Sequence, residues 1–172
     1  MNNIILVGFM AVGKTTISKY LKSILKYSIF DIDKIIEKEE RLTINEIFKK
    51  KGENYFRFKE KEIALRLLER NNNIISTGGG LFLNDEVREI ALKNNFVVFL
   101  DLDIKEVYKR VNRNDFRPLA KGKTLIELKE LYEKRLPLYL QSDIHIVTDF
   151  KTPTQIAKEI TDKYYKWLNK EL

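Results

Sequence analysis

The chain has 172 residues, a formal net charge of +7 and no cysteine. That length fits one domain with a core of its own, and the lack of thiols excludes a disulfide framework, a zinc–thiolate centre and a cysteine nucleophile. No apolar run approaches the ~20 residues of a membrane-spanning helix, and no basic leader precedes the first apolar segment, so a cytoplasmic protein with no membrane partner is expected. The positive charge is spread along every predicted helix rather than gathered in one arm. It therefore points to small anionic ligands and not to nucleic acid. Only nine of the 32 basic residues are arginine. In so lysine-rich a chain, each arginine is a candidate for a site that needs a planar, bidentate fork.

In chain order, IILV between Asn3 and Gly8 is a continuous apolar run, as expected of a central parallel strand. The segment Gly8-Phe9-Met10-Ala11-Val12-Gly13-Lys14-Thr15 follows it and fits G-x-x-x-x-G-K-[ST]. Backbone N–H groups of such a loop close around phosphate oxygens, and the next helix aims its positive end at the same point. Gly8, Ala11, Val12, Gly13, Lys14, Thr15 and Thr16 are therefore expected to bind a nucleoside triphosphate. Lys14 reaches its terminal phosphates, and the Thr15 hydroxyl ligates Mg²⁺. The spacing predicts a helix from Lys14 to Lys26 with a buried stripe of Ile17, Tyr20, Leu21, Ile24 and Leu25.

A second strand, Tyr27 to Asp31, runs into Asp31-Ile32-Asp33. Read as extended chain, alternation puts both carboxylates on one face. One could hold Mg²⁺ through water and the other could take a hydroxyl proton from an acceptor. Thr43 and Glu46 form a capping box for a helix carrying Ile47 and Phe48, and a charged helix follows from about Glu53 to Arg70. The third strand, from Asn73, ends in Gly78-Gly79-Gly80. Three glycines in a row cost backbone entropy, which favours a place where a ligand comes close to the main chain.

Asn84 caps a helix with Val87, Ile90 and Ala91 inward; Phe96 to Asp101 is the fourth strand; Asp103 and Glu106 box the next helix. Residues 112–123 are polar and basic and read as a mobile loop. Thr124 and Glu127 cap a helix with Leu128, Leu131 and Tyr132 inward, and Ile144 to Thr148 is the fifth strand. His145, the only histidine, is expected to be structural. Thr152, Pro153 and Gln155 start a last helix with Ile156, Ile160, Tyr164 and Trp167 on one stripe. Strands alternating with helices predict an α/β fold: a mostly parallel five-stranded sheet with helices on both faces and ligands at the carboxyl ends of the strands. Arg57 and Arg135 would suit a small carboxylate. Arg117, in the polar loop, would suit a lid that closes on phosphoryl charge.

In order, GFMAVGKTT, FDID, YFR, STGGG, FRPL and KRLPLY make the chain resemble the shikimate kinase family from Asn3 to about Ile160. The phosphate loop is shared by many families; the ordered set behind it is much more specific. The resemblance implies a nucleoside-monophosphate-kinase-like domain spanning 1–172, with a lid near 112–123 and a shikimate-binding helical segment near 33–61. It implies transfer of a phosphoryl group from ATP, with Mg²⁺, to the 3-hydroxyl of shikimate by a cytoplasmic monomer in aromatic amino acid biosynthesis. On this reading Asp33, Arg57, Gly78, Gly79, Gly80 and Arg135 bind shikimate, with Phe48 and Phe56 as the apolar wall. Asp33, Lys14 and Arg117 are catalytic, Arg110 and Arg117 contact the nucleotide, and Thr15 holds Mg²⁺ with Asp31 acting through water. Ala11 stands where the family usually has glycine, and Phe58-Lys59 follows Arg57 where an acidic and a basic residue are usual. The alternatives are a gluconate- or nucleoside-monophosphate-type kinase, which would lack the GGG and R-x-P-x-Y set, or a non-catalytic nucleotide-binding regulator, which would need neither Asp33 nor Arg135.

Overall fold

The computed structural model describes residues 2–113 and 122–170. Five strands form one wholly parallel sheet: β1 (Ile4–Val7), β2 (Ser28–Asp31), β3 (Asn73–Ser76), β4 (Phe96–Asp101) and β5 (Ile144–Val147), in the spatial order β2-β3-β1-β4-β5. Helices α1 (Lys14–Leu25), α2 (Ile32–Glu40), α3 (Ile44–Leu68), α4 (Asp85–Asn94), α5 (Ile104–Arg113), α6 (Leu125–Tyr139) and α7 (Pro153–Leu168) cover it, with a short 3₁₀ turn at Leu81–Leu83. The central strand β1 pairs with β3 on one side and β4 on the other. The chain therefore departs in opposite directions around the end of β1, which makes that end a topological switch point. The phosphate loop starts there.

Several sequence expectations need correction. Asp31-Ile32-Asp33 is not extended. Asp31 ends β2 and caps α2, its carboxylate accepting the Lys34 N–H, so Asp33 lies in the first helical turn. Helix α2 escapes notice because the alternation FDID looks like strand, although Ile32 and Ile36 share a buried face. The stripe on α1 narrows to Ile17, Ser18 and Leu21; Tyr20 and Ile24 are 41% and 46% exposed. Ile90 lies at the surface rather than inside. The Asp103 carboxylate accepts the Lys105 N–H, while Glu106 pairs with Lys109, so no capping box forms there. The boxes at Thr43, Thr124 and Thr152 all form. Helix α3 is interrupted at Gly52 (φ 82°, ψ 169°), which separates the two helices that the pattern implies. Of the expected loop 112–123, residues 112–113 complete α5, and residues 114–121 lie outside the described residues.

The amino ends of β1, β3 and β4 are locked by three asparagines. Asn3, fully buried, donates from Nδ2 to Asn95 Oδ1 (2.9 Å) and to the Arg70 carbonyl (2.7 Å). Its Oδ1 accepts from the Asn73 backbone N–H (3.1 Å) and from Asn73 Nδ2 (3.0 Å). Removing one member strands the buried donors and acceptors of the others. Asn3→Leu is expected to lower the stability by about 3 kcal/mol, the sum of two or so orphaned groups. Urea unfolding with an unchanged slope would register it; a loss under about 1 kcal/mol would mean that water or repacking replaces the network.

Candidate active site

The phosphate loop is shaped by contacts that a side chain would destroy. Gly8 has φ 138°, and a Cβ there would meet the Leu100 carbonyl oxygen at 2.3 Å. Ala11 adopts φ 59°, a left-handed setting that costs an alanine on the order of 1 kcal/mol. This is the physical reason why glycine suits the position better and why alanine still fits. Gly13 starts α1 with no side-chain cap, and the first turn carries no acidic residue. The positive end of the helix is thus turned to the cavity beside it. Lys14 is buried and its Nζ donates to the Gly8 and Phe9 carbonyls at 2.8 and 2.7 Å, under the loop it serves.

Two cavities open from this point. One, about 240 Å³, is lined by Ala11, Gly13, Lys14, Thr15, Thr16, Asp31, Asp33, Ser76, Thr77 and Arg110. The other, about 260 Å³, lies between the strand ends and helices α2 and α3, and is lined among others by Phe48, Phe56, Arg57, the glycine triplet and Arg135. Thr15, Asp31 and Asp33 line both. These three residues therefore form the shared wall between an anion cradle and a mixed polar–apolar pocket. Thr15 Oγ1 donates to Asp31 Oδ2 at 2.7 Å across it.

The glycine triplet has a steric cause. A Cβ on Gly78 would meet Glu60 Oε1 at 2.2 Å and Asp33 Oδ1 at 3.1 Å, and one on Gly80 would meet Arg57 Nη1 at 2.7 Å. The charged side chains lie directly on this backbone. Arg57 pairs with Glu53 (3.0 Å) and with the buried Glu60. Burial works against its charge, but the two carboxylates outweigh it and its pKa is raised. Arg135, on α6, donates from Nη1 to the Gly79 carbonyl (3.1 Å) and its guanidinium sits over the Phe9 ring at 5.5 Å. Its Nε is buried and has no hydrogen-bond partner among the described residues, so it can serve an incoming acceptor oxygen. Phe48 and Phe56 pack at 5.0 Å between ring centroids and supply the apolar side.

Most of the residues singled out from the sequence line these two cavities, while Gly8 shapes the loop without lining either. Val12 is buried in the core beneath the loop rather than lining either cavity. Arg110 projects from α5 and its Nη1 donates to the Ala11 carbonyl at 3.0 Å, at the mouth of the cradle. Arg117 lies outside the described residues. His145 stacks on Phe99 and bonds Asp101, away from both cavities.

Glu60 was not singled out, although it is 1% exposed and pairs with Arg57. The only signal was its position three residues after Arg57, on a helix so rich in Glu and Lys that the spacing does not stand out. Met10, Lys34, Glu37 and Ile44 also line the larger cavity. No group of three His, Cys, Asp or Glu with metal-binding geometry occurs among the described residues.

A family model described as shikimate kinase matches residues 10–165. A shikimate kinase of Persephonella marina is 46% identical over 160 residues, covering 93% of this chain and 97% of that one. A structure described as shikimate kinase from Acinetobacter baumannii in complex with shikimate superposes with a TM-score of 0.92 at 31% identity, over 96% of this chain and 94% of that one. A gluconokinase from Sinorhizobium meliloti superposes with a TM-score of 0.58 at 15% identity, over 98% of this chain and 94% of that one, a likeness of fold alone.

Proposed function

The chain belongs to the shikimate kinase family, and from that premise we propose how its own residues divide the transfer of a phosphoryl group from ATP to the 3-hydroxyl of shikimate. The enzyme is an ATP-dependent shikimate kinase. The observation that carries the division of roles is the shared wall: Thr15, Asp31 and Asp33 face both cavities at once. A kinase needs such a point, because donor phosphorus and acceptor oxygen must meet there with water excluded.

The smaller cavity takes the triphosphate. Backbone N–H groups of the loop and the amino end of α1 face its phosphates, Lys14 leaves its loop carbonyls for the terminal phosphate, and Arg110 lies against the base. The larger cavity takes shikimate. Arg57 and Arg135 hold the carboxylate, the glycine triplet lets the ring lie close to the backbone, and Phe48 and Phe56 cover its apolar face. Glu60 keeps the Arg57 guanidinium in place, which adds a residue to the set. Asp33 accepts the proton of the attacking hydroxyl as the new O–P bond forms and ADP leaves. Lys14, joined by Arg117 from the segment 114–121, meets the charge spread over the transferring group. No covalent enzyme intermediate is needed. We take a monomer as the working unit. No described helix is long and apolar enough to cross a membrane, and we place the enzyme in the cytoplasm.

The donor set at the wall fits Mg²⁺. A hydroxyl and a carboxylate already 2.7 Å apart are hard oxygen donors, and Mg²⁺ in phosphoryl-transfer sites is held by few protein groups, substrate phosphates and water. When bound, it would neutralise charge on the phosphates. Thr15 would hold it directly and Asp31 through water. Asp31→Asn keeps an oxygen to cap α2 but loses the charge. The variant is expected to need about 10- to 100-fold more Mg²⁺ for half-maximal rate, the usual cost of an outer-sphere partner. A rate titration with an unshifted Mg²⁺ midpoint would remove Asp31 from the metal site.

A further inference from the structure

The Tyr139 phenol has no part in the division of roles above, yet it touches the acceptor side. Tyr139 is the last residue of α6, one turn after Arg135, so the two share a helix face. Its ring is 1% exposed and stacks on Phe99 at 5.1 Å and 25°. Its hydroxyl donates to the Gly79 carbonyl, the same oxygen that accepts Arg135 Nη1. Burial pushes the phenol up to about 12, with the nearby Arg135 charge pulling the other way. It is therefore a fixed donor at neutral pH and neither a base nor a nucleophile.

A trans peptide points its N–H opposite to its carbonyl, and no peptide bond of the described chain is cis. Pinning the Gly79 carbonyl thus also sets the direction of the Gly80 N–H, and Gly80 lines the larger cavity whereas Tyr139 does not. We propose that Tyr139 is a positioning residue for the acceptor: by holding the Gly79 carbonyl jointly with Arg135, it fixes both the glycine backbone and the guanidinium that receive the shikimate carboxylate. The inference rests on the assignment of Arg135 and the triplet to shikimate.

Tyr139→Phe removes the hydroxyl and keeps the stacked ring. Losing one such hydrogen bond is expected to raise KM for shikimate about 5- to 10-fold. The KM for ATP should be unchanged and kcat should stay within about twofold, because the reacting atoms are untouched. A merely structural role would instead lower the melting temperature and disturb both substrates together, and that result would overturn the proposal. So would a parent-like KM for shikimate in Tyr139→Phe when Arg135→Ala raises it strongly. If Arg135→Ala itself leaves KM for shikimate unchanged, the assignment of Arg135 fails, and the Tyr139 role falls with it. Tyr139→Leu, which loses the ring stack as well, should add instability without a further selective rise in KM for shikimate; a selective rise only in the leucine variant would assign the effect to the ring and contradict the role of the hydroxyl.

Discussion

Asp33→Asn is expected to slow turnover by about 10²- to 10⁴-fold, the range lost when a positioned general base is removed, while ATP binding stays near that of the parent. The asymmetry follows from where Asp33 sits. It occupies the first turn of α2, beside the glycine triplet, and lines both cavities. The phosphate contacts proposed for the donor come from the loop and α1, whereas Asp33 belongs to α2. Asparagine has the same outline and still accepts one hydrogen bond, so the folded wall should persist. It cannot take up the hydroxyl proton, and the attacking oxygen stays a poorer nucleophile. Steady-state rates together with nucleotide binding would separate the two halves. A kcat within a few-fold of the parent would end the role of Asp33 as proton acceptor, and equal losses in ATP affinity and kcat would make it a structural residue of the wall.

Lys14→Met is expected to be nearly as severe but to act on the other partner. Removing one charged donor aimed at developing phosphoryl charge costs about 10²- to 10³-fold in kcat. Methionine replaces most of the buried stem, so the loss should lie in chemistry rather than in folding. Lys14 holds the Gly8 and Phe9 carbonyls in this structure, and its variant should also bind ATP more weakly. The informative quantity is the ratio. A fall in kcat beyond the rise in KM for ATP marks an interaction made in the transition state. A rise in KM alone would mean that Lys14 only binds.

The parts of the site that were legible in the sequence are those whose chemistry is local in the chain. Gly8 to Thr16 could be read because one turn of backbone makes the whole cradle. Gly78 to Gly80 could be read as a close approach, but what approaches was hidden: Glu60, Asp33 and Arg57 arrive from other elements and press on the triplet. The Asp31–Asp33 pair does lie at both cavities, but not on the backbone expected of it. Asp31 stops β2 by capping α2, and a four-residue strand followed at once by a helix leaves no turn signal between them. Glu60 was illegible in a different way, and Tyr139 was visible only as the last residue of R-x-P-x-Y, without its contact. Nothing distinguishes a buried glutamate from a solvated one on a Lys/Glu-rich helix. The donor role of Tyr139 depends on a carbonyl 60 residues away in sequence. The asparagine lock at the strand starts was invisible for the same reason, since it joins three segments that only the sheet order brings together.

The most direct test of a two-cavity site meeting at Asp33 is ADP release from ATP and Mg²⁺ with the acceptor varied among shikimate, gluconate and nucleoside monophosphates. Release that depends on shikimate and is negligible with the other two is the predicted result. Release that proceeds equally with gluconate or a nucleoside monophosphate, or that shikimate does not stimulate, would contradict it.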